Sequence, residues 1–282
     1  MKKYGIVVDS TFYFTGEELE RMNIKSVSLN IIDGEKSFKE SEVENKYVRD
    51  LLNNGHKLTT SQPSPGEFLK VYEDFLNDGC DKVFVLTLSK PLSGTYQSAK
   101  LAHNMMQDQS KVHLFESTMA SFGNENLTLR LFELIEEGLE FEAIVSQMEK
   151  FVKSAGLVIS VENLISLFKS GRLSRTKAAI GTVLRVKPII RMEEGKLNLY
   201  KSFRSHKKVM VEMIDEMKKN VDGWKKIYVR IQSKNNLEQA KVLEQLVKDQ
   251  FENAVVTVNE YLGPVFSIHI GTKGYGLSWC GE

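Results

Sequence analysis

Short apolar runs alternate with amphipathic stretches through the first half of the chain. YGIVVD predicts a strand, and TGEELERMN after it predicts a helix, because Thr15 and Glu18 have the spacing of a capping box. The continuous apolar run KVFVLTL is typical of a strand that helices cover on both faces. The pattern predicts further strands over IKSVSLNII and KVHLFES, and further helices over KYVRDLLNNG, PGEFLKVYEDFLNDG, SGTYQSAKLAHNMM and FEAIVSQMEKFVKS. Such alternation predicts an α/β fold with a parallel sheet.

The pattern changes after the helix that FEAIVSQMEKFVKS predicts. VKPIIRM and KLNLYKS predict a hairpin with its turn at Glu194–Gly195, and a long helix follows. Beyond it we expect a strand at KIYVRIQS, a helix at NNLEQAKVLEQLVKD, and strands at NAVVTVN and PVFSIHI. Hairpins mixed with helices indicate a second, α+β domain. We therefore predict two domains, residues 1–156 and residues 157–282.

Composition and charge narrow the class of protein. The chain has 282 residues, 41% hydrophobic and 27% charged, as expected for a globular protein. With a net charge of +1, the chain lacks the excess of positive charge that is typical of nucleic-acid-binding proteins. Cys80 and Cys280 are far apart and are expected to be reduced thiols. Asp9 interrupts the first apolar run, which favours a strand over a signal peptide, and no run reaches the roughly 18 apolar residues of a membrane span. We expect a cytoplasmic protein.

Three polar turns are expected at the carboxyl ends of strands. They are DST at 9–11, TTSQPS at 59–64 and SKPLSGT at 89–95. Ligands of open α/β sheets collect at this edge, where helix N-termini present free N–H groups. Hydroxyl and N–H groups there can hold a carboxylate or a phosphate. Each turn taken alone is better explained as a helix cap or an Asx-turn, but three together favour a binding site.

Motifs of catalysis are largely missing from the sequence. Walker A, GxGxxG and the GxSxG nucleophile elbow are not found, and the five histidines are dispersed without metal-ligand spacing. Asp9 could hold Mg²⁺ but lacks a second nearby carboxylate. Arg172 is expected after a glycine in a tight turn and Arg204 at the start of a helix. Each could bind an anion or form an ordinary salt bridge. His269 is either a core histidine or a functional group at a domain junction.

Seven short motifs resemble one protein family. They are VVDST at 7–11, TSQPS at 60–64, LSGTYQSA at 92–99, SGRLS at 170–174, VKPII at 186–190, KSFRSHKK at 201–208 and SIHIG at 267–271. The chain resembles, nearly end to end, the DegV family, and within it the fatty-acid-binding subunits of bacterial fatty acid kinase. TSQPS followed some thirty residues later by SGTYQSA is highly specific as a pair.

The resemblance implies a fold and a ligand. The fold would be a three-layer α/β/α domain with a mainly parallel sheet, followed by a two-layer α+β domain with a mixed sheet that closes over one buried fatty acid. The implied ligand-binding residues are Thr60, Ser61, Ser93, Gly94, Thr95, Arg172, Arg204 and His269.

The resemblance also implies partners. Proteins of this type catalyse nothing themselves and need neither a cofactor nor a metal. They present the acid to a separate ATP-dependent kinase, and the acyl phosphate then reaches the acyltransferases of phospholipid synthesis. Transient contact with a membrane surface is compatible with such a carrier.

Two motifs depart from the family's pattern, at three positions. Where HxGPG is expected near the C-terminus, this chain has HIGTKG, with Thr272 and Lys273 in place of proline and glycine. Glu116 stands where an aspartate is expected.

Other functions stay open at this point. They are a serine acyl hydrolase or transferase with Ser93 as nucleophile and His269 as base, a phosphotransferase using Asp9 and Mg²⁺, and a lipid-sensing regulatory protein.

Overall fold

The computed structural model describes residues 3–162, 164–173, 186–271 and 273–282. The strands are β1 Tyr4–Asp9, β2 Ile24–Val27, β3 Asn30–Asp33, β4 Lys36–Lys39, β5 Thr59–Ser61, β6 Lys82–Leu86, β7 Val112–Phe115, β8 Gly156–Val161, β9 Lys187–Glu193, β10 Lys196–Phe203, β11 Ile227–Lys234, β12 Ala254–Asn259 and β13 Gly274–Gly281. The α-helices are α1 Gly16–Arg21, α2 Asn45–Asn53, α3 Pro65–Asn77, α4 Thr95–Met105, α5 Phe122–Glu136, α6 Phe141–Ser154, α7 Ile165–Lys169, α8 His206–Val221, α9 Leu237–Gln250 and α10 Pro264–Ile270.

The first half of the chain builds a parallel sheet in the order β2-β1-β6-β7. Alternate residues of each strand enter different apolar clusters, because successive side chains point to opposite faces. Val7 and Val83 pack with α3 and α4, while Ile6 and Phe84 join the cluster that contains α5 and α6. Helices on both faces explain why these strands are continuously apolar. The predicted three-layer α/β/α arrangement is confirmed.

The second half builds a mixed sheet in the order β10-β9-β8-β13-β11-β12. The β11–β12 pair is parallel and the other pairs are antiparallel. Helices α8 and α9 cover one face through a separate apolar cluster. The predicted β9–β10 hairpin is present, with Glu194 and Gly195 at its turn in the left-handed region.

Helices α5 and α6 form a layer shared by the two sheets. Phe141 at the start of α6 stacks on Phe84 of the parallel sheet, with ring centroids 5.0 Å apart. On the other side, α5 packs against β13 and β11. Glu125 of α5 is fully buried, and its Oε2 atom pairs with Nε of Arg230 on β11 at 2.5 Å. The last strand of the parallel sheet ends at Phe115 and the first strand of the mixed sheet begins at Gly156. The domain boundary after residue 156 stays a prediction.

A small antiparallel sheet in the order β4-β3-β5 lies outside both main sheets. Two sequence expectations are wrong here. IKSVSLNII is not one strand, because β2 joins the parallel sheet and β3 joins the small sheet. Thr59–Ser61 was expected in a turn at the edge of the parallel sheet, but these residues pair with β3 as strand β5.

The C-terminal segment PVFSIHI is a helix, α10, and the predicted strand is wrong. Apolar and polar side chains alternate over this segment, which favours a strand from sequence alone. Pro264 at the first helical turn favours a helix start, however. The Val265 N–H group also finds an acceptor in a distant side chain, Glu40. A local helix-start signal and a contact made only in the folded chain therefore both support the helix against the alternating pattern.

Candidate ligand-binding cleft

A cleft of about 580 Å³, including the solvent-filled space at its mouth, lies where the two halves of the chain meet. Its polar lining comes from β5, the turn before α4, the segment after α7, and α10. The polar residues and the glycine that line it are Thr60, Ser61, Gln62, Ser93, Gly94, Arg172 and His269. Its apolar walls are Leu29, Leu88, Leu92, Leu167, Leu197, Val265, Phe266 and Ile270. A cleft that combines apolar walls with converging polar groups is typical of a small-molecule site.

The turn before α4 supplies Ser93 and Gly94. The hydroxyl groups of Ser93 and Thr95 are 2.9 Å apart, and Ser93 Oγ accepts a hydrogen bond from the Thr95 N–H group at 3.3 Å. Thr95 is buried behind Ser93 and does not line the cleft. Helix α4 has no side-chain cap at Gly94. The partial positive charge of its N-terminus therefore lies beside Ser93, where it favours an anion.

Glycine at position 94 allows the two polar turns to approach each other. A Cβ atom built there would lie 2.6 Å from Nε2 of Gln62. Gln62 belongs to TSQPS, so this contact joins the two motifs that the sequence singles out as a pair. The hairpin turn of the second half also contacts this region, because Ser89 Oγ donates a hydrogen bond of 2.8 Å to the Gly195 carbonyl.

Thr60 and His269 meet across the cleft. Thr60 Oγ1 lies 2.9 Å from Nε2 of His269, so β5 and α10 are joined at the site by residues 209 positions apart. Burial, together with the positive charge of Arg172, lowers the pKa of His269 to about 4. The imidazole is neutral at pH 7 and can either donate or accept one hydrogen bond at Nε2. Ser61 Oγ accepts a weak hydrogen bond from Asn30 Nδ2 at 3.3 Å.

Arg172 is the cationic side chain among the cleft-lining residues that the structure describes. Its Nη1 atom donates a hydrogen bond of 2.6 Å to the Ser170 carbonyl, which fixes the side chain after the tight turn at Gly171. Its remaining N–H groups are suited to a carboxylate. The geometry of the turn thus places one positive charge next to a neutral histidine and three hydroxyl groups.

Arg204 does not belong to this cleft. It is exposed at the surface, between β10 and α8, and does not line the cavity. The sequence motif KSFRSHKK contributes a helix start instead, since Ser205 Oγ accepts a hydrogen bond from the Lys208 N–H group. Of the eight predicted ligand-binding residues, six line the cleft, Thr95 supports Ser93 from behind, and Arg204 lies elsewhere.

The first polar turn has a structural role. Asp9 is fully buried; its Oδ1 atom accepts hydrogen bonds from the Thr11 N–H and hydroxyl groups, and Oδ2 accepts one of 2.7 Å from the Leu88 N–H group. Burial raises the pKa of Asp9 to about 6. The carboxyl group thereby fixes the end of β1 to the loop that leads to Ser93. The described residues contain no group of three or more side chains arranged to hold a metal ion.

The geometry does not assemble a nucleophile and base. Ser93 Oγ bonds Thr95, whereas Nε2 of His269 bonds Thr60. Within the described ranges, Nδ1 of His269 is buried without a hydrogen-bond partner, so no carboxylate orients the ring. A serine hydrolase needs the serine–base bond and an orienting group. The arrangement suits binding better than acyl transfer.

Several site residues were missed by sequence reasoning. Gln62 could have been found, because it lies inside TSQPS. The apolar walls carry no local signal, since leucines are common in any core. Three residues depart from the family's pattern. Glu116 is exposed, with its Oε2 atom 3.8 Å from Lys90 Nζ, and Lys273 Nζ lies 3.7 Å from Glu162 Oε1. Thr272 lies outside the described residues.

Comparison with known proteins identifies the family. The family model DegV, described as "Uncharacterised protein, DegV family", matches residues 3–282. The chain belongs to the DegV family. A DegV domain-containing protein of Staphylococcus aureus (strain COL) is 28% identical over 283 residues, covering 99% of this chain and 98% of the relative.

Solved DegV structures have the same fold. The fatty-acid-binding DegV family protein of Thermus thermophilus is similar with a TM-score of 0.89 and 28% identity, over 99% of this chain and 100% of that one. DegV of Bacillus subtilis, described as a fatty acid binding protein, has a TM-score of 0.84 and 27% identity over 100% of both chains. In the part of this DegV protein that the structure describes, no helix is long and apolar enough to span a bilayer.

Proposed function

We propose that this protein binds one long-chain fatty acid, with the carboxylate in the cleft at Ser61 and Ser93. The observation that carries the proposal is that hydroxyl groups, one arginine and a neutral histidine line one cleft together with apolar walls. A monocarboxylate needs one compensating positive charge, which Arg172 supplies. A phosphate group would need more cationic partners than the described cleft residues offer.

Apolar contact accounts for the affinity. Burying one methylene group is worth about 0.8 kcal/mol, so a chain of about fourteen gives on the order of 11 kcal/mol. A membrane offers the same chain a similar gain. The protein competes through fixed hydrogen bonds to the carboxylate, each worth about 1.5–3 kcal/mol when one partner is charged. Relatives above 25% identity are described as fatty-acid-binding, which supports the same ligand class here.

Both halves of the chain would contribute to the site. Residues 1–156 would form the α/β/α domain that supplies Ser61 and Ser93. Residues 157–282 would form the α+β domain that supplies Arg172 and His269 and closes over the acyl chain.

We further propose that the protein is a non-catalytic subunit in the cytoplasm. It would present the bound acid to a separate ATP-dependent kinase, and the resulting acyl phosphate would serve phospholipid synthesis. Support comes from the resemblance to the binding subunits of fatty acid kinase, and from the separation of Ser93 and His269 into different hydrogen bonds.

Mass spectrometry of the purified protein, first native and then denatured, tests whether a fatty acid is bound and whether it is bound covalently. We expect a mass increment equal to one fatty acid that is lost on denaturation. A mass that stays on the denatured chain and maps to Ser93 would instead make the protein an acyl-enzyme.

The kinase partnership needs its own experiment. The loaded protein is mixed with a purified fatty acid kinase catalytic subunit and ATP, and acyl phosphate is trapped with hydroxylamine. We expect product only when both proteins are present. Binding of fatty acid without product would leave a carrier or lipid sensor with another partner, and product from the isolated chain would contradict the non-catalytic assignment.

A further inference from the structure

The N-terminus of α10 is held by one buried carboxyl group that no sequence motif marks. Glu40, in the short 3-10 turn after β4, is only 4% exposed. Its Oε1 atom accepts hydrogen bonds from the Val265 N–H group at 2.9 Å and from the Tyr13 hydroxyl group at 3.1 Å. Its Oε2 atom accepts one of 2.5 Å from the Ser10 hydroxyl group. One side chain thus connects α10 to the first half of the chain.

Helix α10 depends on such contacts for its position. It has seven residues, too few for a helix that is stable by itself in water. Three of its apolar residues, Val265, Phe266 and Ile270, form walls of the cleft, and His269 bonds Thr60 at its far end. A movement of the N-terminus would therefore move His269 and one wall together.

We propose that Glu40 is a positioning residue: through the N-terminus of α10 it fixes where His269 stands in the cleft, and it makes that placement sensitive to pH. An effect of Glu40 on ligand affinity would follow only if the protein binds a fatty acid, as proposed above. The effect of Glu40 on the position of α10 does not depend on that proposal.

The direction of the pH effect follows from burial. Desolvation raises the pKa of Glu40 from 4.5 to about 7, against the effect of its three hydrogen bonds, and the charge of Asp9 raises it further. If α10 moves away, water reaches the carboxyl group and its pKa returns towards 4.5. We call the arrangement with α10 in place the docked state. Because Glu40 has the higher pKa there, the docked state binds more protons than the state with α10 moved away. Docking is therefore strongest below pH 4.5 and weakens as the pH rises through 7. Between pH 6 and pH 8 the expected loss is about tenfold in the docking equilibrium.

Other ionisable groups surround this contact. On the elements packed around it they are Asp9, Tyr13, Glu44, Arg49, Lys234 and Tyr261. Lys234 is itself bonded to the Leu262 carbonyl and to Ser267 of α10, and burial lowers its pKa to about 8. Burial also raises the pKa of Asp9 to about 6, so a pH effect in the wild type alone would not identify Glu40.

Glu40→Gln separates these contributions, because glutamine keeps the shape and the acceptor but cannot ionise. Amide hydrogen exchange of the full-length protein without ligand is measured at pH 6, 7 and 8, and protection factors for residues 264–270 are corrected for intrinsic exchange. In the wild type we expect protection to fall about tenfold from pH 6 to pH 8. In Glu40→Gln we expect a clearly smaller fall over the same range, because only the neighbouring groups such as Asp9 and Lys234 still titrate.

The matched control is Glu42→Gln, which removes the same charge from an exposed position two residues away. It is expected to behave as the wild type. A second variant, Tyr13→Phe, removes a hydrogen bond that lowers the pKa of Glu40, so the midpoint of the transition should move to higher pH. This variant keeps the test decisive if Glu40→Gln does not fold.

Equal pH dependence in Glu40→Gln and in the wild type would overturn the proposal, as would pH-independent protection in the wild type. Binding of a fluorescent fatty acid is then measured over the same pH range. If no fatty acid binds at any pH, the proposed function fails while the exchange result still decides the role of Glu40. If binding occurs, its affinity should fall towards pH 8 in the wild type and less so in Glu40→Gln.

Discussion

Replacement of Ser93 by alanine tests the carboxylate site most directly. The substitution removes a hydroxyl group that accepts from the Thr95 N–H group and shares a hydrogen with the Thr95 hydroxyl group. A hydrogen bond to a charged group is worth about 1.5–3 kcal/mol. Because about 1.4 kcal/mol corresponds to a tenfold change in affinity, Ser93→Ala should bind a fatty acid roughly 10- to 150-fold more weakly.

The cost to stability is measured separately from the loss of affinity. The Thr95 hydroxyl group is buried and loses its hydrogen bond with Ser93, which costs about 1–3 kcal/mol. For domains of this size 1 kcal/mol lowers the melting temperature by about 2–4 °C. A variant that melts within a few degrees of the wild type but binds much more weakly therefore separates the site from the fold.

Isothermal titration calorimetry on delipidated protein measures the affinity. Ser146→Ala serves as the control, because it removes the same hydroxyl group from an exposed position on α6. We expect this control to bind as the wild type does. If Ser93→Ala binds within twofold of the wild type while its fold is intact, the carboxylate does not lie at Ser93 and the proposed orientation of the ligand is refuted.

Three further predictions concern the groups around the site and the core. Glu125→Gln should lower the free energy of unfolding by about 3–5 kcal/mol in urea denaturation, because it leaves the buried Arg230 charge without its partner. Arg172→Met should raise the pKa of His269 from about 4 in an NMR titration, since a repelling charge is removed; an unchanged midpoint would show that burial alone sets it. The low pKa means that stability conferred by the neutral imidazole is lost as the pH falls from 6.5 through 4. Phe84→Ala should cost about 3–5 kcal/mol in the same denaturation assay, because the fully buried ring stacks on Phe141.

Local sequence patterns predicted most elements of the parallel sheet. Continuous apolar runs such as KVFVLTL need cover on both faces, which helices supply here, and the Thr15–Glu18 capping box is formed as its spacing indicates. The β9–β10 hairpin followed from its turn at Glu194–Gly195, where a left-handed backbone is needed. These features depend on contacts between residues a few positions apart, so they can be predicted from the local sequence pattern.

Two elements had no local signal and were not predicted. Helix α5 buries polar side chains over its first turns, among them Asn124, Glu125 and Asn126, so it shows no amphipathic stripe. Strand β13 contains Gly274, Gly276 and Gly281, which lower its strand propensity. It is nevertheless the central partner of β8 and β11. The contact is close, because a Cβ atom at Gly276 would lie 2.3 Å from the Val158 carbonyl oxygen.

The sequence by itself determined the fold class, the family motifs and six of the residues that line the cleft. Only the tertiary structure decided how these residues are used. It attached the N-terminus of α10 to Glu40 through the Val265 N–H group, joined Thr60 to His269, used Asp9 to hold a loop, and left Arg204 at the surface. The physical reason is distance along the chain. Local patterns report on residues within a few turns, whereas the contacts that cap α10 and close the cleft connect residues about 200 positions apart.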